Sequence, residues 1–291
     1  MRLLFAIAHF FSRDGAGDYG SRTQNPRQRM AGLTACIASL HQVFGPSQHS
    51  IDWARAGVAP ANRSQAHDVD VVICTSRGRH LLAGLPLPGR LYTHHPTRAA
   101  PMRLGFECQA VLREHLGRHD YYCFLEDDTV LHDPWFFTKL KWFTKQASGG
   151  SLLQPNRYEV SPALPLRKVY VDGDLAPRFT APYQDVRERP VIARRIMGTL
   201  VRFRRALNPH AAGYFLSGEQ MAHWARQRYF LDRDTSFVGP LESAATLGIM
   251  RAFRIYKPAV SNAGFLEVQH FGSRFLRLSA EAVRELEETR P

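Results

Sequence analysis

Leu3 to His9 is a continuous apolar run, Leu-Leu-Phe-Ala-Ile-Ala-His, and predicts a buried strand. Ser12 to Pro26 is rich in Gly, Asp, Ser and Asn and predicts a loop. From Arg27 to Phe44 the residues Met30, Leu33, Cys36, Ile37, Leu40 and Phe44 recur at three- and four-residue steps. That spacing predicts an amphipathic helix, stopped by Gly45-Pro46. Val69 to Thr75 reads as a second strand, apolar enough to be buried on both faces, and Leu91 to Thr93 as a short third. Leu104 to Leu116 predicts a helix closed by Gly117, and Tyr121 to Leu125 a fully apolar strand. Asp133-Pro134 then opens a helix, with Asp as N-cap and Pro at the first helical position. Strands alternating with helices argue for an α/β fold with a mostly parallel sheet.

The second half has a different pattern. Pro155 to Pro190 is proline-rich, and Lys168 to Val171 running into Asp172-Gly173-Asp174 carries a hairpin signal. Val191 to Leu207 reads as a strongly basic helix. A short strand at Tyr214 to Leu216 precedes a helix over Glu219 to Arg228. Leu241 to Met250 predicts a helix, Ile255-Tyr256 a short strand, and Ser279 to Thr289 a terminal helix with Ser279 as N-cap. No repeat, low-complexity tract or clear linker interrupts the chain, so one compact domain is expected.

Composition narrows the function classes. The 291 residues are 44% hydrophobic and 11% aromatic, enough for a real core and against global disorder. The net charge of +12 favours anionic partners: nucleotide phosphates, nucleic acid or anionic lipid. The excess is mostly Arg, which suits forked recognition of phosphate oxygens. Cys36, Cys74, Cys108 and Cys123 are dispersed in apolar segments with no C-x-x-C pair. This argues against zinc and for buried thiols in a reducing compartment. The opening Met1 to Phe11 has too short an apolar run, interrupted by His9, and no small-residue cleavage site for a signal peptide. No run is long enough to span a membrane, so a cytoplasmic protein is expected, peripheral to the membrane at most.

The most informative segment is Phe124-Leu125-Glu126-Asp127-Asp128-Thr129. A buried strand ends in three acids, whose mutual repulsion needs a cation or donors to offset it. In parallel α/β sheets, ligands bind outside the carboxyl ends of the strands. Acids at i and i+2 on an extended chain point the same way, so Glu126 and Asp128 would share a ligand while Asp127 faces elsewhere. A hard divalent ion suits such oxygens.

This strand, acidic triplet and following helix resemble the Asp-x-Asp region of GT-A glycosyltransferases. The Glu-Asp-Asp form resembles that of the inverting N-acetylglucosaminyltransferases, and the helix from Leu104 resembles the one leading into their acidic strand. The resemblance implies a GT-A-like α/β fold: a Rossmann-type nucleotide-binding half with a mixed central sheet flanked by helices. Residues 1–135 would form the nucleotide-sugar half and 136–291 the acceptor half, ending in the C-terminal helix. It implies Mn2+ or Mg2+ and a UDP- or GDP-linked sugar donor. Asp128 would bind the metal, and Glu126 would sit near the ribose or a metal-bound water, with Asp127 on the same nucleotide side.

Later segments fit the same pattern. Gly213 to Glu219 would shape the sugar pocket, with helix N-terminal amides offered to hydroxyls or phosphate. Glu242, in Phe237 to Ser243, matches the position of a general base, although Ser243 stands where a second acid is common, and Asp232 and Asp234 compete. His270, in Glu267 to Gly272, would complete the metal site; imidazole with carboxylate suits manganese. His9 and the loop Ser12 to Arg22, with Thr75, Ser76 and Arg77, follow the first two strands, where the base and ribose are expected, and Arg103 would reach a phosphate.

The basic stretch 187–205 contains Arg187, Arg189, Arg194, Arg195, Arg202, Arg204 and Arg205. As an amphipathic helix it would lie on an anionic membrane, fold over the diphosphate, or bind an acidic glycan. A glycan or lipid-linked acceptor follows, in polysaccharide or glycolipid synthesis. A sugar-phosphate nucleotidyltransferase is the nearest alternative, but the Pro-Lys expected after its Gly-rich loop is missing. A basic nucleic-acid-binding protein or metal-dependent nuclease is permitted by charge, yet no helix-turn-helix, zinc module or RNP-type motif appears.

Overall fold

The computed structural model describes residues 1–12, 25–147, 150–163 and 166–288. Its main sheet has five strands in the order Gly213–Ser217, Tyr121–Glu126, Arg2–His9, Asp68–Ser76, Thr93–Thr97. The last four run parallel, and Gly213–Ser217 is antiparallel at one edge. The architecture is α/β, with mixed sheets flanked by helices. The predicted loop from Ser12 to Arg22 lies outside the described residues beyond its first residue.

Side-chain alternation explains why both faces are covered. Leu3, Phe5 and Ile7 face a core made with Leu33, Ile37 and Leu40 of the helix Pro26–Phe44. Leu4 and Ala6 face the opposite core, with Leu104, Cys108 and Leu112 of the helix Leu104–Glu114. All four cysteines are buried and unbridged. Asn25 caps the first helix by accepting from the Arg27 N–H, with Pro26 at its start. Gly117 takes a positive φ of 80° after the second.

Two further sheets fill the second half. Lys168–Tyr170, Asn156–Val160, Glu267–His270 and Thr129–Val130 form one; Val191–Ile196, Thr199–Arg205, Arg254–Pro258 and Ser151–Leu153 form the other. Pro240–Glu242, a π-helical turn Ser243–Leu247 and Gly248–Ala252 run on from one another. Among the described residues, no helix is long and apolar enough to cross a membrane.

The structure corrects several sequence expectations. The basic stretch is a β-hairpin rather than a helix: Val191–Ile196 pairs with Thr199–Arg205 about Met197-Gly198, both at positive φ. Its β-branched residues and two-residue turn outweigh an accidental three- and four-residue spacing of apolar positions. Lys168–Tyr170 pairs backwards with Asn156–Val160, because Asp172 is drawn into a buried ion pair with Arg157 and Lys257 rather than a turn. The third parallel strand begins at Thr93, after a turn at Gly89–Leu91; as an edge strand it tolerates Pro96. The helix expected at Pro134 starts at Phe136, with Asp133 accepting from the Trp135 N–H in the turn before it.

The terminal helix starts at Arg274, so Ser279 is interior and its hydroxyl donates back to the Phe275 carbonyl. The helix Gly218–Ala225 begins beside Tyr121, at the amino end of its neighbouring strand. Ser217 and Gln220 close that helix end with a capping box. Its amides therefore lie at the opposite end of the Tyr121–Glu126 strand from Glu126.

Candidate active site

Strand order reverses at Arg2–His9: Asp68–Ser76 lies on one side and Tyr121–Glu126 on the other. Crevices form outside the carboxyl ends of strands at such a switch point. A cavity of about 360 Å³ occupies this one, within the usual range for a small-molecule site. Ala8 and Phe10 enter it from one strand end, and Glu126, Asp127 and Asp128 from the next. Met102 and Leu104 form a third wall, and Leu241 and Glu242 a fourth. Gly105 allows these two walls to touch, since a Cβ there would lie 2.5 Å from the Ala244 Cβ.

The acidic triplet is divided by its partners. Asp127 is 5% exposed. Its carboxylate meets the Arg29 Nη2 at 2.5 Å and the His9 Nδ1 at 2.5 Å. The His9 Nε2 accepts from the Leu81 N–H, so the ring hydrogen sits on Nδ1 and donates to Asp127. Burial disfavours the Asp127 charge, but Arg29 and His9 outweigh it and hold the carboxyl below its usual range. Asp127 is thus an anchor between the first strand and the first helix, alongside the cavity.

Asp128 is placed by backbone pairing. Its carbonyl accepts from the Phe271 N–H at 2.8 Å, and Thr129 lies opposite His270 in the antiparallel ladder. The Asp128 Oδ2 is 3.5 Å from the His270 Nε2 and 3.4 Å from the Arg29 Nη1. Its Oδ1 is buried with no hydrogen-bond partner among the described residues. An orphaned carboxylate oxygen is costly unless a ligand completes it.

The buried carboxylate of Glu159 orients the imidazole. Its Oε1 accepts from the His270 Nδ1 at 2.7 Å, and its Oε2 accepts from the Leu276 N–H at 2.7 Å. The His270 Nε2 is thereby turned towards Asp128, an arrangement known for ligating histidines. Burial opposes the charged form of His270, but Asp128 and Glu159 outweigh it and raise its pKa. One residue therefore fixes the ring and satisfies an amide of the terminal helix, from which Arg274 and Phe275 face the cavity.

Glu126 meets a different set. The Arg157 Nη1 and His210 Nε2 each stand 3.6 Å from its carboxylate. Removal from bulk water pushes Glu126 up to about 7; Arg157 opposes this, whereas Asp128 and Glu242 add to it. Arg157 is held from behind by Asp172, which also meets Lys257 at 3.2 Å. Burial, reinforced by Arg157, lowers His210 to about 3, so its ring stays neutral.

The cavity therefore gathers Glu126, Asp127, Asp128, Glu242 and His270. The other expected residues lie elsewhere. His9 is fully buried behind Asp127. Thr75 is buried against the His94 ring. Arg77 reaches the Arg98 carbonyl, and Arg103 the Arg233 carbonyl. Asp232 and Asp234, the competitors of Glu242, both pair with Arg251. Arg29, Arg157, Glu159 and His210 were not singled out from sequence. Only Arg29 carried a signal there: it lies four residues before Leu33, on the helix's apolar face.

The sequence matches no protein-family model, and no curated protein matches it.

The donor set fits a hard divalent ion in part. Among the described residues, no group of three or more His, Cys, Asp or Glu side chains is arranged to hold a metal. Asp128 and His270 offer one carboxylate and one imidazole. An ion bound there would take its remaining ligands from a substrate diphosphate and water, as small divalent cations commonly do.

Proposed function

We propose that this protein is a metal-dependent, inverting glycosyltransferase of the GT-A type. It would use a UDP- or GDP-linked sugar and an acceptor hydroxyl on a glycan or lipid-linked molecule. The observation that carries the reading is the Asp128–His270 pair. The Asp128 carboxylate, whose Oδ1 has no hydrogen-bond partner among the described residues, meets an oriented imidazole through its Oδ2 at the switch point of the sheet, beside a cavity of small-molecule size. Asp128 and His270 would hold Mn2+ or Mg2+. When bound, the ion supplies charge neutralisation to the departing diphosphate.

The chain's own residues account for the remainder. The Glu126 carboxylate, flanked by Arg157 and His210, faces the cavity with no hydrogen bond among the described residues, poised to accept from a ribose or sugar hydroxyl. Arg274 contributes positive charge to the same cavity. Glu242 stands on the opposite wall at the start of a helix and would take the acceptor proton. Arg29 and His9 keep Asp127 ionised and fixed, so the strand end holds its shape. Phe10, Met102, Leu104 and Phe275 give the cavity apolar lining.

The test is a donor and acceptor screen followed by NMR of the product anomer. The proposal expects transfer with inversion, lost in Glu242→Gln while nucleotide binding persists. Retention of configuration, or full turnover by Glu242→Gln, would remove Glu242 as the base.

A further inference from the structure

The hairpin Val191–Ile196/Thr199–Arg205 takes no part in the cavity. Between Val191 and Leu207 it carries five arginines and no carboxylate. Paired residues of an antiparallel ladder share a face, and the two faces differ. Ile192 pairs with Phe203 and Ile196 with Thr199, and both isoleucines pack on the core. The outer face pairs Val191 with Arg204, Ala193 with Arg202 and Arg195 with Leu200. Val191 is 52% exposed and Leu200 40%. Among the described residues Arg195 donates only to the Gly198 carbonyl, and the Arg202 guanidinium has no partner. Arg204 pairs with Asp174.

The turn adds a second observation. Met197 and Gly198 have φ of 47° and 81°, the two-residue turn that favours Asn-Gly. A methionine is strained in that first position, and this one is fully exposed at 102%. The fold gains nothing from an apolar side chain there and loses the better turn residue. Such local strain points to a role outside folding. An apolar tip above two arginines that have no carboxylate partner among the described residues matches a bilayer with anionic headgroups, where the methionine leaves water and the guanidiniums meet phosphate.

We infer that this hairpin docks the protein on an anionic lipid surface, with Met197 entering the headgroup–acyl boundary and Arg195 and Arg202 binding lipid phosphates. The inference does not rest on the glycosyltransferase reading, and it concerns residues remote from that chemistry.

The test is co-sedimentation of the full chain with vesicles of phosphatidylcholine alone and of phosphatidylcholine mixed with phosphatidylglycerol. Binding is expected only to the mixed vesicles and should weaken with salt. Each Arg near such a surface is worth about fivefold in partition, so Arg195→Glu with Arg202→Glu should lower it at least ~25-fold. Met197→Asn should lower it about tenfold or more by removing a buried apolar side chain. The same variant should melt at or above the parent's midpoint, because Asn suits the turn. That combination separates docking from folding. Equal binding to both vesicle types, or unchanged partition of Met197→Asn, overturns the inference. So does tighter binding of a single-stranded oligonucleotide that depends on the arginines and not on Met197, which would assign the hairpin to nucleic acid.

Discussion

Replacing Arg29 by Met tests how the acidic strand end is stabilised. Arg29 and Asp127 have side-chain exposures of 8% and 7%, and the guanidinium also contacts Asp128 at 3.4 Å. Met keeps most of the aliphatic volume and removes the charge. Asp127 would then be buried with a single hydrogen bond, from His9. Breaking a buried pair from one side costs about 3–5 kcal/mol. The unfolding entropy of a 291-residue chain is on the order of 0.6 kcal/mol per kelvin. The expected fall in the melting midpoint is therefore roughly 5–8 °C.

Arg29→Met with Asp127→Leu removes both charges and leaves the His9 Nδ1–H without its acceptor. That omission costs about 1–3 kcal/mol, so the double variant should be more stable than Arg29→Met alone. Urea unfolding followed by far-ultraviolet circular dichroism measures both, provided the slopes agree. A single-variant loss below about 1 kcal/mol would refute the reasoning, as would a double variant less stable than Arg29→Met.

Other consequences follow from the same geometry. Glu159→Gln has one acceptor oxygen where Glu159 serves both His270 and Leu276. Faster amide exchange at Leu276 is expected, with a stability loss of about 1–3 kcal/mol and an Mn2+-dependent nucleotide affinity lower by roughly 10–100-fold. Unchanged exchange and affinity would show that Glu159 positions neither group. Asp172 is held below its usual range because Lys257 and Arg157 outweigh its burial. Its contribution is therefore complete above the unfolded carboxylate value of about 3.9 and is lost as pH falls through the lower folded value. Asp172→Asn should be clearly less stable than the parent at neutral pH, with the gap closing in strong acid; a gap that is constant with pH would contradict this.

The first half of the fold was legible because burial on two faces leaves a local signature. Leu3, Phe5 and Ile7 interleave with Leu4 and Ala6, and the helix from Pro26 repeats its apolar positions along one face. The acidic strand end was legible for the same reason: polar residues that interrupt such a run are conspicuous. The hairpin was misread because Ile192, Ile196, Leu200 and Phe203 are spaced like a helix face, while the deciding feature is two residues long. The residues that support His270 and flank Glu126 were hidden by distance along the chain. Glu159 reaches His270 through strand register, and Arg157 is fixed by Asp172, which Lys257 also meets in the interior. Ser279 looked like a helix cap, whereas Glu159, over a hundred positions away, meets the first turn of that helix.

The central claim is that Asp128 and His270 form a metal-dependent nucleotide-sugar site. Calorimetric titration of the purified protein with UDP and with GDP, each with and without Mn2+, tests it most directly. The account predicts binding of one nucleotide that requires Mn2+ and is abolished in Asp128→Ala, while the variant retains its circular dichroism spectrum. Absence of binding to either nucleotide in the presence of Mn2+, or binding unchanged in Asp128→Ala, would contradict it.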